Sequence, residues 1–252
     1  MRNHQPPEIV IDTPEALARV FADRFVTEAS SAIAAHGRFS CALPGGSVAE
    51  TFLPVLARAP VARAPVAWDK IEFFWGDERA VGPDDPDSNY GLAKRLLLAA
   101  VDADARHVHR IVGERGDLEA AARAYEEEMV RVLGQPPRGQ PPRIDLIVLG
   151  LGPEGHVCSL FPGHPLLRER VRRVAVITDS PKPPPLRITF TMLPLEEAGT
   201  ICVAGFGDSK AEALREAIED PASQIPVALA LRAAQRALVL ADAAAASRLR
   251  RR

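Results

Sequence analysis

Short, continuously apolar runs alternate along the chain with longer stretches in which apolar residues return every three or four positions. Residues 39–43 (FSCAL), 70–75 (KIEFFW) and 144–150 (IDLIVLG) have strand length, and further strands are expected at 174–178, 188–192, 200–204 and 237–240. Helix signals lie between them. Thr13 and Pro14 fit an N-cap and a first helical residue, and the alanine-rich run behind them meets a stop at Gly37. A second helix follows the turn PGGS and runs through 50–58; Ser88 caps a third through 94–100; a longer one spans 118–133; another starts near Asp208, its expected cap. His107 and His109 alternate on a short expected strand, facing one side without a third metal ligand.

Strands alternating with helices predict an α/β fold: a mostly parallel, Rossmann-like sheet flanked by helices on both faces, in one domain over 1–252. GQPPRGQPPR (134–143) is too short to separate domains and reads as a surface loop. Ligands of such sheets bind beyond the carboxyl ends of the strands. Four polar, glycine-containing segments fall there: PGGS, GDER, GLGPEGH and GFGDSK.

Composition narrows the partners. The 252 residues are 47% hydrophobic and 25% charged, with a formal net charge of −2, so an anionic ligand needs a local site and no general attraction to nucleic acid or anionic membrane is expected. The basic tail Arg248, Arg250, Arg251, Arg252 reads as a solvated end. Cys41, Cys158 and Cys202 are odd in number and far apart, which fits reduced thiols in the cytoplasm rather than a disulfide framework or zinc cage. The start MRNHQPPEIV lacks an apolar signal core, and no apolar run reaches the roughly 18 residues of a membrane span.

Gly150, Gly152 and Gly155 stand in the order G-x-G-x-x-G after an apolar strand, and Asp179 follows at about the distance of a ribose-binding acid. A dinucleotide site also needs a full helix behind its glycines. Pro162 and Gly163 interrupt one, since an interior proline costs about 3 kcal/mol or more. The glycines alone could make a tight turn. That leaves His156, at a strand end, either structural or a proton carrier near neutral pH, and Glu154 either its orienting partner or a solvated charge.

Gly45 and Gly46 let backbone amides turn toward an anion at the next helix start and Ser47 adds a hydroxyl, while the lack of G-K-[ST] points to one phosphate ester rather than a nucleotide; a capped tight turn is the plainer alternative. Lys210 in a first helical turn opposes the helix dipole by about 0.3–1 kcal/mol, which a bound anion would offset. Arg187, behind the extended run PKPPP, offers a guanidinium suited to phosphate, or is a surface arginine. Asp77, Glu78 and Arg79 close the strand 70–75 as a charged triple, either solvated or lining a polar pocket. No G-x-S-x-G elbow and no H-E-x-x-H occur.

Taken in order, ALPGGSVAETF, FFWGDERAV, DSNYGLAKRLLL, IDLIVLGLGPEGHVCSLFPGHP, KPPPLRITFTM and GFGDSKAEAL resemble the 6-phosphogluconolactonase family over most of the chain. Pro44 and Val48 depart from that family's usual S-G-G-S-T-P loop, and Glu154 replaces the aspartate of its Asp-Gly-His. The resemblance implies hydrolysis of 6-phospho-D-glucono-1,5-lactone in the oxidative pentose phosphate pathway, and a fold shared with glucosamine-6-phosphate deaminase and ribose-5-phosphate isomerase. It implies His156 as general base, with Glu154 and Asp77 in the catalytic group. Gly45, Gly46, Ser47, Glu78, Arg79, Gly152, Gly155, Arg187 and Lys210 would then contact substrate. No metal or organic cofactor is expected, nor a nucleic-acid or membrane partner; the expected state is a cytoplasmic monomer or weak homodimer. The sibling deaminase typically continues into Asn-Glu-Pro, whereas this chain reads Leu160-Phe161-Pro162-Gly163. A non-catalytic sugar-phosphate sensor and an NADP-binding protein are the other rivals.

Overall fold

A computed structural model describes residues 6–58, 66–134 and 143–250. Six strands form the main sheet: β1 (Glu8–Ile11), β2 (Phe39–Leu43), β3 (Ile71–Trp75), β5 (Leu146–Gly150), β8 (Thr200–Gly205) and β9 (Arg236–Ala241), with β4 (Asp77–Arg79), β6 (Val174–Ile177) and β7 (Arg187–Phe190) set apart. Their order is β1-β9-β8-β5-β2-β3, and every pairing is parallel. All residues of β2 and β8 are buried, which is why these segments read as unbroken apolar runs: both faces of a parallel sheet are covered.

The direction in which successive strands are added to the sheet reverses between β2 and β5. From β2 the chain steps to β3 at one edge; from β5 it steps through β8 to β9 on the other side. Right-handed crossovers then place the two sets of helices on opposite faces. One set is α1 (Pro14–His36) and α2 (Gly46–Arg58), which pack on each other; the other includes α5 (Met192–Glu197), α6 (Ala211–Glu219) and α7 (Pro226–Ala233). The α1–α2 side is filled by aromatics: Phe21 stacks on Phe52 at 4.7 Å, and Phe25 meets Phe39 edge-on at 5.2 Å.

The helix ends follow local chemistry. Thr13 accepts a bond from the Ala16 amide, and Gly37 takes φ +84° to close α1 onto the Ile33 carbonyl. Helix α4 (Leu118–Leu133) has the expected bounds, with Asp117 as its cap. Other expectations need correction. Strands 174–178 and 188–192 leave the main sheet: β6 and β7 pair antiparallel, and β4 adds to β7, making a separate three-stranded sheet. The charged triple Asp77–Arg79 is therefore itself a strand. Ser88 caps only α3 (Asn89–Ala93), which widens into a π-helical turn at Lys94–Leu98. His107 closes a 3-10 turn, and of the expected strand only Val108 bridges Phe73. Asp208 makes no cap; a 3-10 turn, Asp208–Lys210, leads into α6. The expected loop 134–143 falls mostly outside the described residues. No helix among the described residues is long and apolar enough to cross a membrane.

Candidate active site

The strand-order reversal leaves a crevice beyond the carboxyl ends of β2, β5 and β8, where open α/β sheets bind ligands. It is a cleft of about 280 Å³. Gly45, Gly46 and Ser47 enter from the turn after β2, Gly152 and His156 from the turn after β5, and Lys210 from the turn before α6. The small sheet closes another wall with Asp77, Arg79 and Arg187.

The segment after Gly150 forms a tight turn and no helix, since the Gly152 amide bonds the His156 carbonyl at 2.9 Å and the Gly155 amide bonds the Gly152 carbonyl at 2.9 Å. Gly152 has a specific reason to be glycine: a Cβ there would stand 1.8 Å from His156 Nδ1. His156 Nδ1 lies 3.2 Å from Glu154 Oε1, and its ring packs on Phe161 at 4.9 Å. Burial, then the Lys182 ammonium, push the imidazole below its usual 6.5; Glu154 and Asp77 pull it part of the way back. Burial works against the Glu154 carboxylate, but a bond from its own backbone, the His156 charge and a bond from Lys182 outweigh that and hold it below the usual carboxylate range.

Asp77 is held from two sides. Its Oδ2 accepts from Ser159 Oγ at 2.6 Å, and Asn89 Nδ2 donates to its carbonyl at 2.9 Å and its Oδ1 at 3.3 Å. The Cys158 thiol lines the same wall; burial and the neighbouring Asp77 charge push it well above the usual thiol range, so it is no ready nucleophile.

The first turn of α2 carries no acidic side chain, so its amide end presents partial positive charge beside the exposed Ser47. In the same cleft, burial and then Lys182 disfavour the charge on Lys210, and Glu154 offsets this only in part. An anion bound there would relieve both lysines.

Arg187 is 5% exposed and largely committed. Its Nε donates to the Pro184 carbonyl, its Nη2 to the carbonyls of Lys182 and Pro183, and its Nη1 to Ser159 Oγ. Those bonds occupy four of a guanidinium's five N–H groups. The arginine chiefly ties the 182–184 segment to the small sheet, leaving one N–H for the cleft.

Two expected contacts lie behind the wall. Glu78 is 2% exposed, and its carboxylate accepts from the amides of Arg79, Asn89 and Tyr90 and from Ser88 Oγ, so it has no oxygen to offer a ligand. Its task is to hold the start of α3. Glu78→Ala leaves three amides, one buried and two part-buried, without their acceptor and is expected to cost about 2–4 kcal/mol. A fall in the urea midpoint at unchanged slope measures this, and an unmoved midpoint would refute it. Gly155, at φ +87°, packs against Ile225 and shapes the turn.

Two cleft residues escaped the sequence reading. Lys182 reaches the cleft from the segment after β6, its Nζ 3.2 Å from Glu154 Oε2 and 3.4 Å from His156 Nδ1. It stands at the head of the proline run, where a lysine is the available signal. Asn89, inside DSNYG, is 2% exposed, with an Oδ1 that has no partner and faces the cleft beside Gly45. Nothing in its local sequence distinguishes it from an ordinary first-turn helix residue. Among the described residues, no three His, Cys, Asp or Glu are placed to hold a metal ion.

A 6-phosphogluconolactonase of Streptomyces coelicolor is 36% identical over 250 residues, covering 97% of this chain and 95% of that protein. The 6-phosphogluconolactonase of Mycobacterium tuberculosis is 38% identical over 232 residues, covering 90% and 91%. The solved 6-phosphogluconolactonase from Trypanosoma cruzi superposes with a TM-score of 0.84 at 28% identity, covering 98% of this chain and 99% of that one. A solved monomeric glucosamine-6-phosphate deaminase shares the fold at a TM-score of 0.78 and 24% identity, over 96% and 99%. The family model described as glucosamine-6-phosphate isomerases/6-phosphogluconolactonase matches residues 12–240, and the chain belongs to that family.

Proposed function

We propose that the chain hydrolyses 6-phospho-D-glucono-1,5-lactone to 6-phosphogluconate in the oxidative pentose phosphate pathway, with His156 as general base. The observation that carries this reading is His156 itself. It is a partly buried imidazole held below its usual pKa, backed on Nδ1 by a carboxylate, in a cleft that also offers Lys210 and the first turn of α2 to an anion. Neutral Nε2 takes a proton from water as the water oxygen bonds to C1 and the carbonyl becomes an oxyanion. The imidazolium then gives that proton to the ring oxygen as the C1–O5 bond breaks. The product acid releases a proton to solvent.

Phe161, an apolar ring against His156, occupies the continuation where a ring-opening deaminase would need a further acid, which favours the lactonase. The direct experiment offers the protein phosphogluconolactone and glucosamine 6-phosphate in parallel. Lactone turnover above the spontaneous rate without ammonia release is expected; ammonia release without lactone turnover would reverse the assignment.

In this reading Ser47, the Gly45–Gly46 amides and Lys210 bind the phosphate, Arg187 adds at most one N–H, and Arg79 and Asp77 border the sugar. Lys210→Ala removes a charged hydrogen bond, worth about 1.5–3 kcal/mol. It is expected to raise KM for the phosphorylated lactone about 10–100-fold by the same arithmetic, with a smaller change in kcat. Unphosphorylated gluconolactone should be nearly unaffected. Equal losses on the two lactones would remove Lys210 from the phosphate site.

A further inference from the structure

Glu154 is placed between two donors. One carboxylate oxygen faces His156 Nδ1 at 3.2 Å and the other faces Lys182 Nζ at 3.2 Å, while Nζ and Nδ1 are themselves 3.4 Å apart. An imidazole nitrogen in that corner can donate to the carboxylate or accept from the ammonium, and the choice decides which nitrogen is left basic. We propose that Lys182 is a positioning residue for the base: its ammonium holds one oxygen of Glu154 so that the other fixes His156 in the Nδ1–H tautomer, with Nε2 free for the attacking water. The proposal rests on the lactonase reading for the identity of that water's target, and on geometry alone for the tautomer.

Three features support it. Nδ1 lies in ion-pair contact with a carboxylate oxygen at 3.2 Å and 3.4 Å from the ammonium nitrogen; a proton on Nδ1 satisfies the carboxylate, which can only accept, and leaves the ammonium to Glu154 Oε2. Lys182 is not a loose surface lysine at its backbone: its carbonyl accepts from Arg187 Nη2 at 2.9 Å and from Ser180 Oγ at 2.9 Å, so its segment is tied to β7. Finally, the charges around His156 would be unbalanced without it. Glu154 stands on its own turn and Asp77 on β4, with Arg187 Nη1 3.9 Å from Asp77; Lys210 lines the same cleft and feels both Lys182 and Glu154. The Glu154 carboxylate faces the imidazole directly, and the Asp77 charge acts on it from farther off. Lys182 is the cation that opposes them there, adding to burial in disfavouring the imidazolium of the resting site. As the ring becomes an imidazolium during attack, Glu154 remains in place to stabilise it.

The test is a long-range proton–nitrogen correlation spectrum of the whole protein with labelled histidine, in which His156 is assigned among the six histidines by its loss in His156→Gln. The expected wild-type pattern is a protonated Nδ1 and a bare Nε2. In Lys182→Gln, and in Lys182→Met as an independent variant, the His156 titration is expected to move to higher pH, because an opposing cation has gone. The acid limb of kcat/KM should move with it. An Nε2–H tautomer in the wild type overturns the proposal, and so does a titration that stays put or moves down in either folded variant. The wild-type tautomer can overturn the proposal even if both variants misfold, and Lys182→Arg, which keeps the cation and should keep both the tautomer and the titration, then tests the lysine's part. Absence of lactone turnover by the wild type would instead sink the lactonase reading and leave the tautomer result standing.

Discussion

Replacing His156 by alanine is expected to lower kcat by about 10²–10⁴-fold, the range for loss of a positioned base, while 6-phosphogluconate still binds. The magnitude follows from the site's lack of a ready substitute. Asp77 is engaged by Ser159 and Asn89, and the Cys158 thiol is held protonated by burial and by Asp77. Binding is expected to survive because the proposed phosphate contacts come from other elements, the turn after β2 and the turn before α6. Spontaneous hydrolysis of the lactone has to be subtracted, since it masks a dead enzyme. The sign of the pH dependence also follows. A base works only when neutral, so activity is lost as pH falls through the His156 pKa. Because burial and Lys182 lower that pKa, the acid limb of wild-type kcat/KM should lie below the usual 6.5. A variant with near-normal corrected kcat would move the base elsewhere, with Asp77 the first candidate. A wild-type limb above 6.5 would contradict the environment described for the imidazole.

Gly152→Ala is expected to approach the same loss without touching any titratable group. The added methyl would sit 1.8 Å from His156 Nδ1, 2.1 Å from Cε1 and 2.6 Å from Cγ, closer than non-bonded atoms come. The ring must swing away from Glu154, because the backbone is pinned by the bond between the Gly152 amide and the His156 carbonyl. A displacement of about 1 Å in a catalytic group costs on the order of 10²-fold, and this one is larger. The clash is with a side chain at a cleft surface, so the melting temperature should change little. If both substitutions act through the imidazole, Gly152→Ala combined with His156→Ala should be no slower than His156→Ala alone. Full activity in Gly152→Ala would mean that the ring position is not needed, and additive losses would mean that the glycine acts by another route.

Much of the frame was legible because it rests on local rules. Buried parallel strands announce themselves as unbroken apolar runs, so β2, β3, β5 and β8 could be located within a residue or two. Caps such as Thr13 and Gly37 announce helix ends because the orphan amides and carbonyls there demand particular residues. The short edge strand β1 escaped, since its exposed Ile9 and Ile11 carry no burial pattern. The placement of β4, β6 and β7 in a second sheet escaped as well: β4 finds β7 across more than a hundred residues of chain, and no short pattern tells β6 and β7 to pair with each other rather than join the main sheet.

For the cleft, sequence determined what chemistry was available: a histidine on a glycine turn, a glycine-rich loop opening a helix, a lysine at another turn, each at a strand end. Tertiary structure decided which groups face which. It turned Glu78 inward, because a buried start of α3 needed an acceptor for its amides. It spent most of Arg187 on the carbonyls of 182–184. It also brought Lys182 and Asn89, distant in sequence and unmarked by spacing, to within reach of Glu154 and Asp77. The physical reason is the same in each case. Residue type and local spacing determine what a side chain can donate, accept or bury, whereas its partner is selected only when packing removes water and every buried polar group must find one.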